Sequence, residues 1–108
     1  DVNAIYKLGD MHRNGDIARD EEMAWIYYRR AYMLARKSIN PDYYPDICLR
    51  MLKYGQNKLS IRDRVSMGQM AVEAFGKRLA QGDKFSQKLQ HEAQELLKEA
   101  MAEYEALR

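Results

Sequence analysis

The sequence predicts an all-α fold of about five helices, and three features carry that prediction. β-Branched residues are sparse, while Ala, Leu, Met, Glu, Gln, Lys and Arg fill the long segments. Apolar residues recur at spacings of three and four, which gathers them on one face of a helix. Glycine, proline and capping residues stand between these segments, where helices stop and start. At 108 residues the chain has the length of one domain, and a core of that size buries about two-thirds of the unfolded surface.

A first helix is expected over about Val2 to Asn14, with Ile5, Leu8, Met11 and His12 as its apolar stripe and Gly15 as its stop. Asp20 suits the N-cap of a second helix, because its carboxylate accepts the free backbone donors of the next turn. Glu21 and Glu22 match the positive helix end. This helix runs to about Ser38 with Ala24, Tyr27, Tyr28, Ala31, Leu34 and Ala35 on its packing face, small and large side chains in alternation. Asn40-Pro41-Asp42 breaks it, since proline lacks the amide a continuing helix uses and disfavours helix in the residue before it.

Pro45 fits the first turn of a third helix, about Tyr44 to Tyr54, which Gly55 ends. Ser60 caps a fourth to about Gln81, with Ile61, Val65, Met67, Met70, Ala71, Ala74, Phe75 and Leu79 as its apolar side and Gly82-Asp83 at its end. From Phe85 onward, Leu89, Ala93, Leu96, Ala100, Tyr104 and Leu107 form a coiled-coil-like seam on a fifth helix whose other face is acidic.

Within the first two helices, Gly9 removes a side chain where a hairpin would cross, Gly15 closes one helix and Asp20 opens the next. Ala24 and Ala31 keep the helices close, and Tyr27 and Tyr28 fill the space that those small residues leave. This pattern resembles a Sel1-like repeat of the tetratricopeptide superfamily over about one repeat, residues 2–38. It departs from the usual pattern between Gly15 and Asp20, which is one residue short and lacks the second loop glycine. An offset of 40 aligns Met11 with Met51, Arg13 with Lys53, Gly15 with Gly55 and Ala31 with Ala71, giving a degenerate second repeat over about 42–82. There Ala24 falls on Arg64 and Tyr28 on Gly68. Residues from about 83 to 108 then read as a capping helix without a hairpin partner. Its seam could also form an interchain coiled coil in a homodimer, although about three heptads with alanine at several seam positions more often pack internally. The resemblance implies a right-handed α-solenoid whose first helices line a concave, peptide-binding surface. It maps that surface onto Tyr6, Asp10, Arg13 and Asn14, and onto Asp46, Arg50, Lys53 and Tyr54. Arginine and lysine there would attract carboxylates of a protein or peptide, and the tyrosines would offer flat apolar contact.

The chemistry of the remaining residues points away from catalysis. His12 and His91 have neither a histidine one turn away nor a neighbouring cysteine, so no metal site or cofactor is expected. His12 reads as a packed ring, and Cys48, set among Ile47, Leu49, Met51 and Leu52, as a small core hydrophobe. Glu92, Glu95, Glu99, Glu103 and Glu105 read as a solvated helix face, and no phosphate loop or nucleophile motif occurs. A net charge of +2 is too small for the whole molecule to attract nucleic acid.

Locally the balance differs. Between Arg29 and Arg64 stand nine basic residues against three aspartates, interleaved with tyrosines, a mixture that also suits a nucleic-acid backbone. Two alternatives to peptide binding therefore stand: a structural segment of a longer solenoid with no ligand of its own, and a nucleic-acid-binding module. No stretch is apolar enough to span a bilayer. Beginning at Asp1-Val2-Asn3 without initiator methionine or signal sequence, the chain reads as a trimmed or processed piece.

Overall fold

A computed structural model describes residues 1–37 and 43–108. Among these residues there are five helices and no strands: α1 (Val2–Asn14), α2 (Glu21–Arg36), α3 (Tyr44–Tyr54), α4 (Ile61–Ala80) and α5 (Phe85–Ala106). The expected break at Asn40-Pro41-Asp42 and the expected end of α2 at Ser38 lie outside the described residues.

The helix ends follow from the capping residues. Asp20 accepts from the Met23 amide at 3.0 Å and Ser60 from the Asp63 amide at 3.0 Å, each satisfying a donor that the first turn leaves without a partner. Gly15 closes α1 at φ +81°, a left-handed conformation that favours glycine, and its N–H returns to the Met11 carbonyl. The short 15–20 loop, although it lacks a second glycine, is tied to the end of α1. The Asp20 amide donates to the His12 carbonyl at 3.1 Å, and His12 Nδ1 lies 3.0 Å from the Ala18 carbonyl. A carbonyl only accepts, so this bond places the proton on Nδ1. α5 takes its cap from one residue further back than usual: Asp83 accepts from the Phe85 amide and from the Ser86 hydroxyl.

The chain divides into two compact units, Asp1–Ile47 and Cys48–Arg108, with the boundary inside α3. In the first, α1 and α2 pack as an antiparallel hairpin. Its core is Tyr6, Gly9, Ala24, Tyr28, Ala31 and Ala35. Tyr28 lies directly over Gly9: a Cβ there would meet the ring at 2.6 Å and the Ala24 carbonyl at 3.1 Å. The Tyr28 ring is fully buried, which stabilises by roughly 1.5–3 kcal/mol. Its hydroxyl donates to Asp10 at 2.6 Å, a bond that contributes about 1 kcal/mol more.

In the second unit α4 packs antiparallel along α5, so the helix expected to lack a hairpin partner has one. Gly68 sits beneath Leu97, where a Cβ would meet Leu97 Cβ at 3.0 Å and Cα at 3.3 Å. Gln90 lies across Gly76 and donates to the Val72 carbonyl at 3.1 Å. Arg64 is buried and paired with Glu103.

The buried faces correct four sequence expectations. On α1 the core side is Tyr6 and Gly9, while Leu8 and Met11 are exposed. The helix is rotated from its apolar stripe because only the glycine edge admits the Tyr28 ring. Leu34, Met70, Tyr104 and Leu107 are likewise exposed rather than packed. Cys48 is buried as expected, and Ile47, Cys48, Leu49, Met51 and Leu52 make α3 a helix apolar on nearly every side.

Candidate functional site

The residues expected to bind a peptide form two rows with the same spacing, one on α1 and one on α3. Positions 6, 10, 13 and 14, like 46, 50, 53 and 54, step by four, three and one, which places each set on one helix face. The structure treats the two rows differently.

The α1 row is largely committed to the hairpin itself. Tyr6 is only 6% exposed and packs against Tyr43 with ring centroids 5.8 Å apart, so it belongs to the interior. Asp10 receives the Tyr28 hydroxyl. Arg13 pairs with Glu21, which also receives Arg19 at 3.2 Å. The hydrogen bond from Arg13, followed by that from Arg19, holds the Glu21 carboxyl below its ordinary range. Asn14 is exposed at the helix end.

The α3 row opens to solvent toward its C-terminus. Asp46 and Arg50 are half-buried, whereas Lys53 and Tyr54 are exposed. Lys53 Nζ stands 5.5 Å from the centre of the Tyr54 ring and 3.6 Å from Glu92 on α5. The cation is therefore held beside a flat apolar surface at the last turn of the helix.

Elsewhere the tyrosines between 27 and 54 are mostly engaged in packing. Tyr27 stacks on His12 at 5.5 Å, which gives that histidine the packed role expected of it. Tyr32 stacks on Tyr44 at 5.4 Å, with the Arg36 guanidinium over the Tyr32 ring. Arg64, one of the nine basic residues between 29 and 64, is buried against Glu103 and is not part of any exposed basic surface. Among the described residues no group of three or more His, Cys, Asp or Glu side chains converges as a metal site, and no helix is long and apolar enough to cross a membrane.

One feature was not singled out from the sequence. The outer face of α2, opposite Ala24, Tyr28 and Ala31, carries Trp25, Ile26, Arg29, Arg30, Met33 and Leu34 around a shallow open depression of about 560 Å³. Its signal was present as two adjacent rows at four-residue spacing, 25-29-33 and 26-30-34. The strong small-large pattern of the opposite face drew Leu34 into the expected core instead. No known protein family, curated protein or solved structure matches the chain.

Proposed function

We propose that the chain is a non-catalytic protein-interaction module, a Sel1-like segment of an α-solenoid that binds an acidic peptide on the α3 row. The observation that carries this reading is the open end of α3, where Lys53 and Tyr54 present a cation and an aromatic ring side by side to solvent with Arg50 one turn before them. A carboxylate reaching this surface gains charge-assisted contact from the cations, and an adjacent apolar side chain gains the tyrosine face with little loss of rotamer freedom. On α1, Asn14 is exposed, Arg13 is held by Glu21 and Tyr6 serves as packing. The repeat resemblance is supported by the contact between Gly9 and Tyr28, which needs a glycine and an aromatic where the repeat pattern has them.

The test is an array of acidic peptides probed with the wild-type chain and with Arg13→Glu/Arg50→Glu/Lys53→Glu, after circular dichroism has shown equal helicity. Wild type is expected to retain a subset of the peptides in a salt-sensitive manner, and the variant to lose at least about tenfold in affinity, equal to about 1.4 kcal/mol. Equal retention by both chains removes the site. Preference for a mixed-sequence single-stranded oligonucleotide over every peptide replaces the reading with nucleic-acid binding.

A further inference from the structure

From the order of charge along an exposed apolar surface, we propose that the outer face of α2 is a second docking surface, whose occupant is an acidic amphipathic helix of a partner protein. No residue of the α3 row takes part.

Two rows run side by side along this face, Trp25-Arg29-Met33 and Ile26-Arg30-Leu34, and each reads apolar, cationic, apolar. Four residues of helix rise about 6 Å, so each row sets an arginine midway between apolar residues about 12 Å apart. Ile26, Met33 and Leu34 are each more than 40% exposed. Arg30 lies over the Tyr27 ring, and among the described residues neither Arg29 nor Arg30 has an ion-pair partner. From Trp25 to Lys37 the chain holds four cations and no carboxylate.

Covering the rows removes apolar surface from water, which favours contact. It also takes two guanidinium groups out of water, a cost that only carboxylates placed against them offset. The occupant therefore carries its acids between its apolar residues and not around them. Its conformation follows from the backbone beneath it. Within α2 the amides and carbonyls are bonded to one another, so the face offers none to an extended chain, whose own backbone groups would be buried without partners. A helix satisfies its own backbone, and its turns repeat at the same rise as the rows they meet. The complement is a helix with apolar residues at i and i+7 and Asp or Glu at i+3 and i+4.

Other occupants fit less well. A helix lying in a membrane interface keeps its cations on the polar side, whereas Arg29 and Arg30 would be carried toward the acyl chains together with Ile26 and Met33. A second α2 face crossing the first about a two-fold axis would bring the arginines of both chains together in an apolar contact.

Trp25 is the only tryptophan in the chain and lines this face, so its emission reports occupancy directly. The probes are synthetic helical peptides of about four turns, free of tryptophan, with leucine at i and i+7 and either Glu or Lys at both i+3 and i+4. With wild type the Glu peptide is expected to shift Trp25 emission to shorter wavelength and to bind at least about tenfold tighter than the Lys peptide. Serine in place of both leucines is expected to weaken the Glu peptide by a similar factor, about tenfold. Arg29→Glu/Arg30→Glu is expected to reverse the order of the two peptides, an outcome that only a folded face can give. The milder Arg29→Gln/Arg30→Gln is expected to bind them about equally. Arg50→Glu/Lys53→Glu is expected to respond as wild type does. The proposal is overturned if wild type binds the Glu and Lys peptides alike or binds neither, or if the serine peptide binds as well as the leucine one. It is overturned equally if the glutamine variant keeps the wild-type preference, or if the charge-reversed chain, at unchanged helicity, does not invert it. A stronger Trp25 response to phosphatidylserine-phosphatidylcholine vesicles than to any peptide replaces the partner with a membrane. Loss of the response in Arg50→Glu/Lys53→Glu moves the peptide to the α3 row and likewise removes the α2 site.

Discussion

The two helical hairpins solve one packing problem with a glycine on the first helix and bulk on the second, but from different positions of the 40-residue alignment. In α1–α2 the first helix supplies the small residue, Gly9, and the second supplies the bulk, Tyr28. In α4–α5 the first helix again supplies a glycine, Gly68, but this glycine aligns with Tyr28 at the 40-residue offset, and the bulk comes from Leu97 on the following helix. Positions 24, 28, 31 and 35 and their counterparts 64, 68, 71 and 75 are buried throughout. A crossing of this kind is specified by complementary volume across two helices, so the residue at a single position can change from the largest to the smallest while the buried face persists.

The polar fastenings of the hairpins differ as well, and this difference gives the largest expected effect. Arg64 is 7% exposed at its side chain, whereas its partner Glu103 is 53% exposed. Glu103→Ala leaves a guanidinium buried without its acceptor and is expected to destabilise by about 1.5–3 kcal/mol in urea unfolding. Arg64→Met retains much of the apolar stem and frees Glu103 to be hydrated, for an expected cost below about 1.5 kcal/mol. Equal costs would show that the burial of Arg64 does not govern this hairpin. In the first hairpin the corresponding fastening is neutral on one side, Tyr28 to Asp10, and its ion pair lies outside the core.

That outer pair gives the smaller effect. The Glu21 carboxyl titrates below its ordinary range in the folded chain, chiefly through Arg13. Its contribution is present above the carboxyl's unfolded value and is lost as pH falls through the lowered folded value. Arg13→Gln is expected to raise the Glu21 midpoint toward the ordinary range in a carboxyl carbon NMR titration, and the stability gap between variant and wild type is expected to close on acidification. Glu21 is well exposed, so the change in melting temperature is small. An unmoved Glu21 midpoint would assign the effect to Arg19 instead.

The number, order and ends of the helices were legible in the sequence because they rest on local chemistry: Asp20, Ser60 and Gly15 act within one turn of where they stand. The first hairpin was legible through Gly9 and Tyr28, a pair that fits only one arrangement. The second was not, since Gly68 alone does not reveal that Leu97 fills its place, and the bulk lies 29 residues further along the chain. The facing of α1 was misread for a related reason. Hydrophobicity marks Leu8 and Met11, but space for a ring, which hydrophobicity does not measure, decides which side turns inward. In the candidate site, spacing placed the α1 and α3 rows on helix faces correctly. It did not reveal that Tyr6 would be buried or that Arg13 would be taken by Glu21, because both depend on partners brought in by folding.

Glycine against a bulky side chain, rather than general hydrophobicity, holds each hairpin, and a double-mutant cycle at Gly9 and Tyr28 measures that coupling. Gly9→Ala is expected to destabilise the wild-type background by about 1–3 kcal/mol, because the ring and the Ala24 carbonyl leave the new methyl no space. In the Tyr28→Leu background that cost should fall by at least about 1 kcal/mol, as the ring is gone and alanine is the better helix former. The same cost in both backgrounds would contradict the account.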